Sequence, residues 1–222
     1  MRTPANIVVP VLVLTGALAA CSSSSSSGGS VTGSVDSTSF SAASTIAVVT
    51  AADTETDCNM GPDGGQEKCT SSSSGQAVIV ILTNRAAATC AAAVAAETSH
   101  DNLSFANMDS LEIFVANDKG NLAPGAYTVI DETSKQPSNA TSGAAANFST
   151  SNSACKSGNP VESTGGTVTL TQISATSVQG TYSIEFGSHG SFSGSFDVPV
   201  CDLPDGGSFV TVGDAGAATC TP

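Results

Sequence analysis

Tryptophan is absent from this chain of 222 residues, which holds only two tyrosines, two histidines and six lysines plus arginines. The shortage of basic side chains excludes a nucleic-acid-reading surface, because phosphate binding needs a basic stripe that releases counterions and no stretch supplies one. Aromatic residues make up 5% of the chain, and its two tyrosines are Tyr127 and Tyr182, too few for a sugar-stacking platform. His100 and His189 both fall in segments that read as turns. A histidine base needs a nucleophile within hydrogen-bond reach and an orienting carboxylate, and nothing in the spacing supplies that set. The Gly-x-Ser-x-Gly elbow is missing, since Gly190-Ser191-Phe192-Ser193-Gly194 carries phenylalanine at its centre. The zinc-protease, P-loop and dinucleotide signatures are missing as well. No Cys-x-x-Cys pair occurs and no histidine lies near a cysteine in sequence, so the residues offer no zinc-ligand spacing. No cofactor or metal is expected.

Nineteen acidic residues set the formal charge at −13. Such a balance favours solubility and repels anionic surfaces, without bearing on fold. The remainder is dominated by serine, threonine, alanine and glycine, a composition that suits strands, turns and linkers.

The N-terminus reads as an address. Met1 and Arg2 supply positive charge, and residues 7–20 form a charge-free run broken only by Pro10, Thr15 and Gly16. This run is too short to cross a bilayer and has the three regions of a secretory signal. It ends in Leu18-Ala19-Ala20-Cys21, which resembles the lipobox of bacterial lipoproteins. The resemblance implies that residues 1–20 are removed and that Cys21 carries a thioether-linked diacylglycerol and an amide-linked chain. Several acyl chains give a stable anchor where one gives only marginal residence, which makes the lipid bilayer the expected partner. The alternative is an ordinary secretory signal that leaves Cys21 as a thiol. Ser22 stands where many lipoproteins retained at the inner membrane have aspartate, so the analogy favours the outer membrane.

Residues 21–39 read as a flexible Ser/Gly tether without apolar periodicity, and residues 40–222 as one domain. In that domain the period is mostly two. Residues 40–50 are a candidate first strand. Ala77-Val78-Ile79-Val80-Ile81-Leu82 is an unbroken apolar run, as expected of a central strand covered on both faces. The Ala-rich segment 85–97 is the one good helical window. Further strands are expected over residues 110–116, 126–131, 144–150, 166–172, 181–186 and 191–198. The last two carry Tyr182, Ile184, Phe186, Phe192, Phe196 and Val198 at even positions, against serine, threonine and acidic residues at odd ones. Opposed residues of an antiparallel pair share a face, so even must join even. The hairpin around Gly187-Ser188-His189-Gly190 then has a three-residue loop, with Ile184 opposite Phe192, or a five-residue loop, with Phe186 opposite Phe192. The expected fold is all-β, an antiparallel β-sandwich or barrel-like domain with one short helix and disulfide bridges.

Setting Cys21 aside leaves Cys58, Cys69, Cys90, Cys155, Cys201 and Cys220, enough for three bridges in an oxidising compartment. Cys58 and Cys69 flank a turn-forming segment and are expected to pair. Cys201 with Cys220 is the next pairing on spacing, which leaves Cys90 with Cys155. Asp53, Glu55, Asp57 and Asp63 could converge on calcium, but the EF-hand template finds Cys58 and Gly64 where it needs glycine and glutamate; a solvated acidic loop is the plainer account. Asn102-Leu103-Ser104 and Asn139-Ala140-Thr141 fit the glycosylation pattern, which a bacterial lipoprotein would not ordinarily meet.

The segments 166–171, 180–186 and 194–201 resemble the C-terminal part of β-rich bacterial lipoproteins of no assigned activity. Taken together, the residues point to a membrane-anchored envelope lipoprotein, a non-enzymatic structural, adhesion or binding module for an envelope or cell-surface partner. Two other readings stay open: a calcium-stabilised binding domain, and a secreted hydrolase that would bring His100 or His189 to a serine and a carboxylate.

Overall fold

The computed structural model describes residues 28–52, 75–99, 105–131 and 142–202. Ten strands and one helix appear in the order β1 (Gly28–Val35), β2 (Ser44–Ala52), β3 (Gly75–Thr83), α1 (Cys90–Ser99), β4 (Asp109–Asn117), β5 (Gly125–Thr128), β6 (Ser142–Thr150), β7 (Val161–Glu162), β8 (Gly165–Ile173), β9 (Ser177–Glu185) and β10 (Gly190–Pro199). They form two five-stranded sheets, one ordered β1-β10-β9-β8-β5 and the other β2-β3-β4-β6-β7. Every ladder between named strands is antiparallel. This is the expected sandwich, and α1 is its one short helix.

Alternation builds the interior. Val78, Val80 and Leu82 of β3 and Leu111, Ile113 and Val115 of β4 are fully buried, and they meet Val168, Tyr182, Ile184, Phe192 and Phe196 from the other sheet. The odd-numbered residues of β3 face outward, where Ile81 packs with Ile46, Val48 and Ala93 beneath the helix. That is why the 77–82 run lacks alternation: sheet covers one of its faces and α1 shields part of the other. Phe192 is the hub of the aromatic cluster, with ring centroids 5.6 Å from Phe40, 5.1 Å from Phe148 and 6.0 Å from Phe186.

The β9–β10 hairpin adopts the shorter of its two expected loops. Ile184 lies opposite Phe192, and the Phe186 and Gly190 backbones close the turn at 2.9 Å. Gly190 has φ 124°, a conformation that L side chains rarely adopt.

The tether expected over residues 21–39 is corrected at its C-terminal part. Gly28–Val35 is an edge strand, paired with β10 from Gly28–Asp197 to Val35–Gly190. Its pattern is hidden because only Val31 and Val35 are large on the inward face, with glycine at 29 and 33, so backbone hydrogen bonds hold much of it. Gly194 lets β1 approach, because a Cβ there would collide with the Ser30 carbonyl oxygen and lie 2.8 Å from Tyr182 Oη. Tyr182 fixes the same point from below, its hydroxyl donating to Ser30 O at 2.8 Å. Burial raises the pKa of that hydroxyl, so it stays a donor. Tyr182→Phe is expected to cost about 1 kcal/mol and to speed amide exchange in β1 more than in β8. Equal acceleration in both strands would show that the bond has no local role.

The helix begins later than the window 85–97 implied. Asn84 is engaged elsewhere, its side chain donating to Asp109 Oδ2 at 2.8 Å and accepting from Asp109 N–H at 3.0 Å, while Arg85 donates to Ala106 O. Thr89 then caps α1, its Oγ1 accepting from Ala92 N–H at 3.3 Å.

Candidate functional site

Cys90 and Cys201 are joined across 111 residues, with Cα atoms 5.1 Å apart. The expected pairings Cys201–Cys220 and Cys90–Cys155 are therefore corrected. The cause is topological: the chain leaving β10 runs alongside β2, with Val200 bridged to Ala47 and Cys201 N–H donating to Ala47 O at 2.7 Å. That course sets Cys201 under the first turn of α1, where spacing alone would not place it. Cys155 is also disulfide-bonded. The expected Cys58–Cys69 pairing, Cys220 and the expected lipidation site Cys21 lie outside the described residues, as do His100, Asn102, Asn139 and the calcium candidates Asp53, Glu55, Asp57 and Asp63.

His189 sits in the single 3-10 turn Gly187–His189 before β10. Its Nδ1 lies 2.8 Å from Asp36 Oδ1, and its carbonyl accepts from Asp36 N–H at 2.8 Å. Both side chains are about half exposed. The hydrolase reading needs a serine as well, and among the described residues no serine hydroxyl bonds to this imidazole. The pair instead staples the end of β1 to the hairpin tip. Among the described residues no three His, Cys, Asp or Glu side chains converge as a metal site.

The outer faces of the two sheets differ in chemistry. On the β1-containing sheet, Thr32, Ser193, Ser183, Thr167 and Thr128 form one row across all five strands, and Ser30, Ser195, Thr181 and Thr169 form most of the next. Neighbours in such a row stand about 4.8 Å apart, and Ser30 Oγ meets Ser195 Oγ at 3.0 Å. The other sheet presents Phe114, the one large apolar side chain exposed among the described residues. Beside it, Glu112 accepts from Asn147 Nδ2 at 3.4 Å.

Burial raises the Glu112 pKa, partly offset by the Asn147 hydrogen bond. The folded protein therefore binds this proton more tightly than the unfolded chain does. The associated stability is complete below the ordinary carboxyl range and is lost as pH rises through the elevated folded value. Asp109 shifts the same way, by desolvation against the opposing charge of Arg85. Glu112→Gln is accordingly expected to raise the urea midpoint at pH 7 and to leave it unchanged near pH 4. An equal difference at both pH values would refute this account.

A concavity lined by described residues opens at the end of the sandwich opposite His189, with a volume of about 860 Å³. It is assembled from the β8–β9 turn, the segment after β10, the middle of β2, the start of β3 and the loop before β5. Val48, Val49, Leu122, Ile173 and Val200 give it an apolar lining, and Gln76, Asn121, Ser174, Thr176 and Asp202 bring polar groups to it. The walls are held in place. Gln76 Oε1 accepts from Leu122 N–H at 2.9 Å, Asn117 Nδ2 donates to Asn121 O at 3.1 Å, and Val200 N–H donates to Thr176 O at 3.0 Å. Sequence reasoning missed this site because its residues come from five separate segments, none of which carries a motif. The disulfide adjoins it, since Cys201 is also part of the lining. No protein-family model, no curated protein and no solved structure matches the chain.

Proposed function

We propose that the chain is a lipid-anchored extracytoplasmic binding module, held in the outer membrane through acylated Cys21, whose sandwich domain acts without catalysis. The Cys90–Cys201 bridge carries this reading. Such bridges persist in oxidising compartments outside the cytosol, the destination that the signal-like residues 1–20 and the Leu18-Ala19-Ala20-Cys21 sequence point to. The pre-formed cleft favours binding over a purely structural role, because apolar clefts of several hundred Å³ with a few polar groups are the usual form of small-molecule sites. The half-exposed His189–Asp36 pair, to which no serine hydroxyl bonds among the described residues, weighs against hydrolysis.

Intact mass measurement on protein extracted from membranes tests the reading. The expected product lacks residues 1–20, carries acyl mass on Cys21 and gains mass when its bridges are reduced. A Cys21→Ser variant is expected in the soluble envelope fraction. A product that still begins with Met1, or that titrates with all its thiols free, overturns the proposal.

A further inference from the structure

We infer that the cleft beside Cys201 binds a neutral single-chain amphiphile of the monoacylglycerol class, taken from the bilayer in which Cys21 is anchored; the bilayer as source rests on the function proposed above.

Position is the first argument. The cleft opens at the end of the sandwich where Gly28 pairs with Asp197 and Pro199 with Ser177. β1 starts at that same end, seven residues after Cys21. Seven residues fully extended reach roughly 25 Å, so the acylated cysteine cannot lie further than that from the start of β1. The cleft therefore lies at the end of the domain that the tether joins, and the His189–Asp36 end is the one farther from that junction.

Chemistry is the second argument. The lining side chains Val48, Val49, Leu122, Ile173 and Val200 suit a hydrocarbon chain, and the groups that accompany them are mostly neutral hydrogen-bonding ones: Gln76, Asn121, Ser174 and Thr176. The one ionisable side chain in the lining is Asp202, within a chain of formal charge −13. A carboxylate or phosphate headgroup would meet like charge there, whereas a glycerol headgroup would meet donors and acceptors.

The test uses the full mature chain with Cys21→Ser, which removes the anchor without touching the cleft. Calorimetric titration compares 1-monocaprin, 1-monolaurin and laurate below their aggregation concentrations. Saturable binding of monolaurin is expected, tightening by about two- to four-fold per methylene from monocaprin and exceeding laurate by at least ten-fold at pH 7. Ala175→Trp at the exposed mouth is expected to weaken monolaurin binding ten-fold or more, with the thermal midpoint unchanged, while Ser191→Trp at the far end leaves binding intact. Laurate binding as tightly as monolaurin overturns the headgroup assignment. So does loss of selectivity for chain length, which would indicate nonspecific adsorption. No saturable binding of either amphiphile, as would follow if residues 203–222 of the chain itself filled the space, overturns the site. Intact monolaurin binding by a protein whose native Cys21 is unacylated overturns the bilayer source and the anchor reading, leaving the ligand class standing.

Discussion

Replacing Cys90 and Cys201 together, by serine and alanine respectively, is expected to lower the unfolding free energy by about 4 to 5 kcal/mol. That is the chain-entropy value for a closed loop of about one hundred residues, and this bridge spans 111. Alanine suits position 201 because the residue is buried, and serine suits position 90, which is only partly buried. The loss should begin at the helix. α1 is built largely of alanine, and its described contacts with the sheet are few: Cys90, Ala93 and Val94 against Ile46, Val48 and Ile81. Amides of α1 are therefore expected to exchange before those of β3 once the bridge is gone. Urea titration of the double variant checks the magnitude, and a change below about 1 kcal/mol would mean that the bridge constrains little of the unfolded ensemble.

Phe192→Ala is expected to cost about 3 to 5 kcal/mol, the range for truncating a buried aromatic. Phe192 is 1% exposed, and its ring packs against Phe40, Phe148 and Phe186, so its removal strips one partner from each of three other rings. The rings also join the two sheets, because Phe148 lies on β6 and Phe192 on β10. Phe192→Leu refills part of the space and should cost less than half as much. Single domains are stable by only about 5 to 15 kcal/mol, so combining the alanine substitution with loss of the bridge should leave little folded protein at 25 °C. A loss from Phe192→Ala near that of an exposed-site control such as Ser193→Ala would contradict the central place given to this ring.

The C-terminal third of the fold could be read from sequence because its chemistry is binary. Phenylalanine, tyrosine and isoleucine at even positions against serine, threonine and acidic residues at odd ones restricted the β9–β10 hairpin to two registers, one of which the structure adopts. The 77–82 run was legible for the opposite reason, since sheet on one face and partial cover by α1 on the other suppress alternation. Legibility failed where long-range geometry decides. β1 looks like linker because glycines at 29 and 33 replace the side chains that would mark its inner face, and its order comes from pairing with residues 155 to 169 positions away. The start of α1 was misplaced because Asn84 and Arg85 are held by the segment 106–109, a contact that no helical propensity records. The Cys90–Cys201 pairing and the cleft depend on where the chain goes after β10, which local spacing does not determine.

Being the first strand and an edge strand, β1 also decides how the domain meets tension. A pull delivered from the N-terminal side enters at Gly28, in line with a ladder of eight paired residues running to Val35. When the counter-force acts at the opposite end of the sandwich, the rungs are strained side by side in shear and must fail together. A sideways pull would instead peel them one at a time, starting at the Gly28–Asp197 pair. Endurance under such a pull would thus rest on a strand with only two large inward side chains, and the Tyr182 hydroxyl bond to Ser30 would act as its rivet.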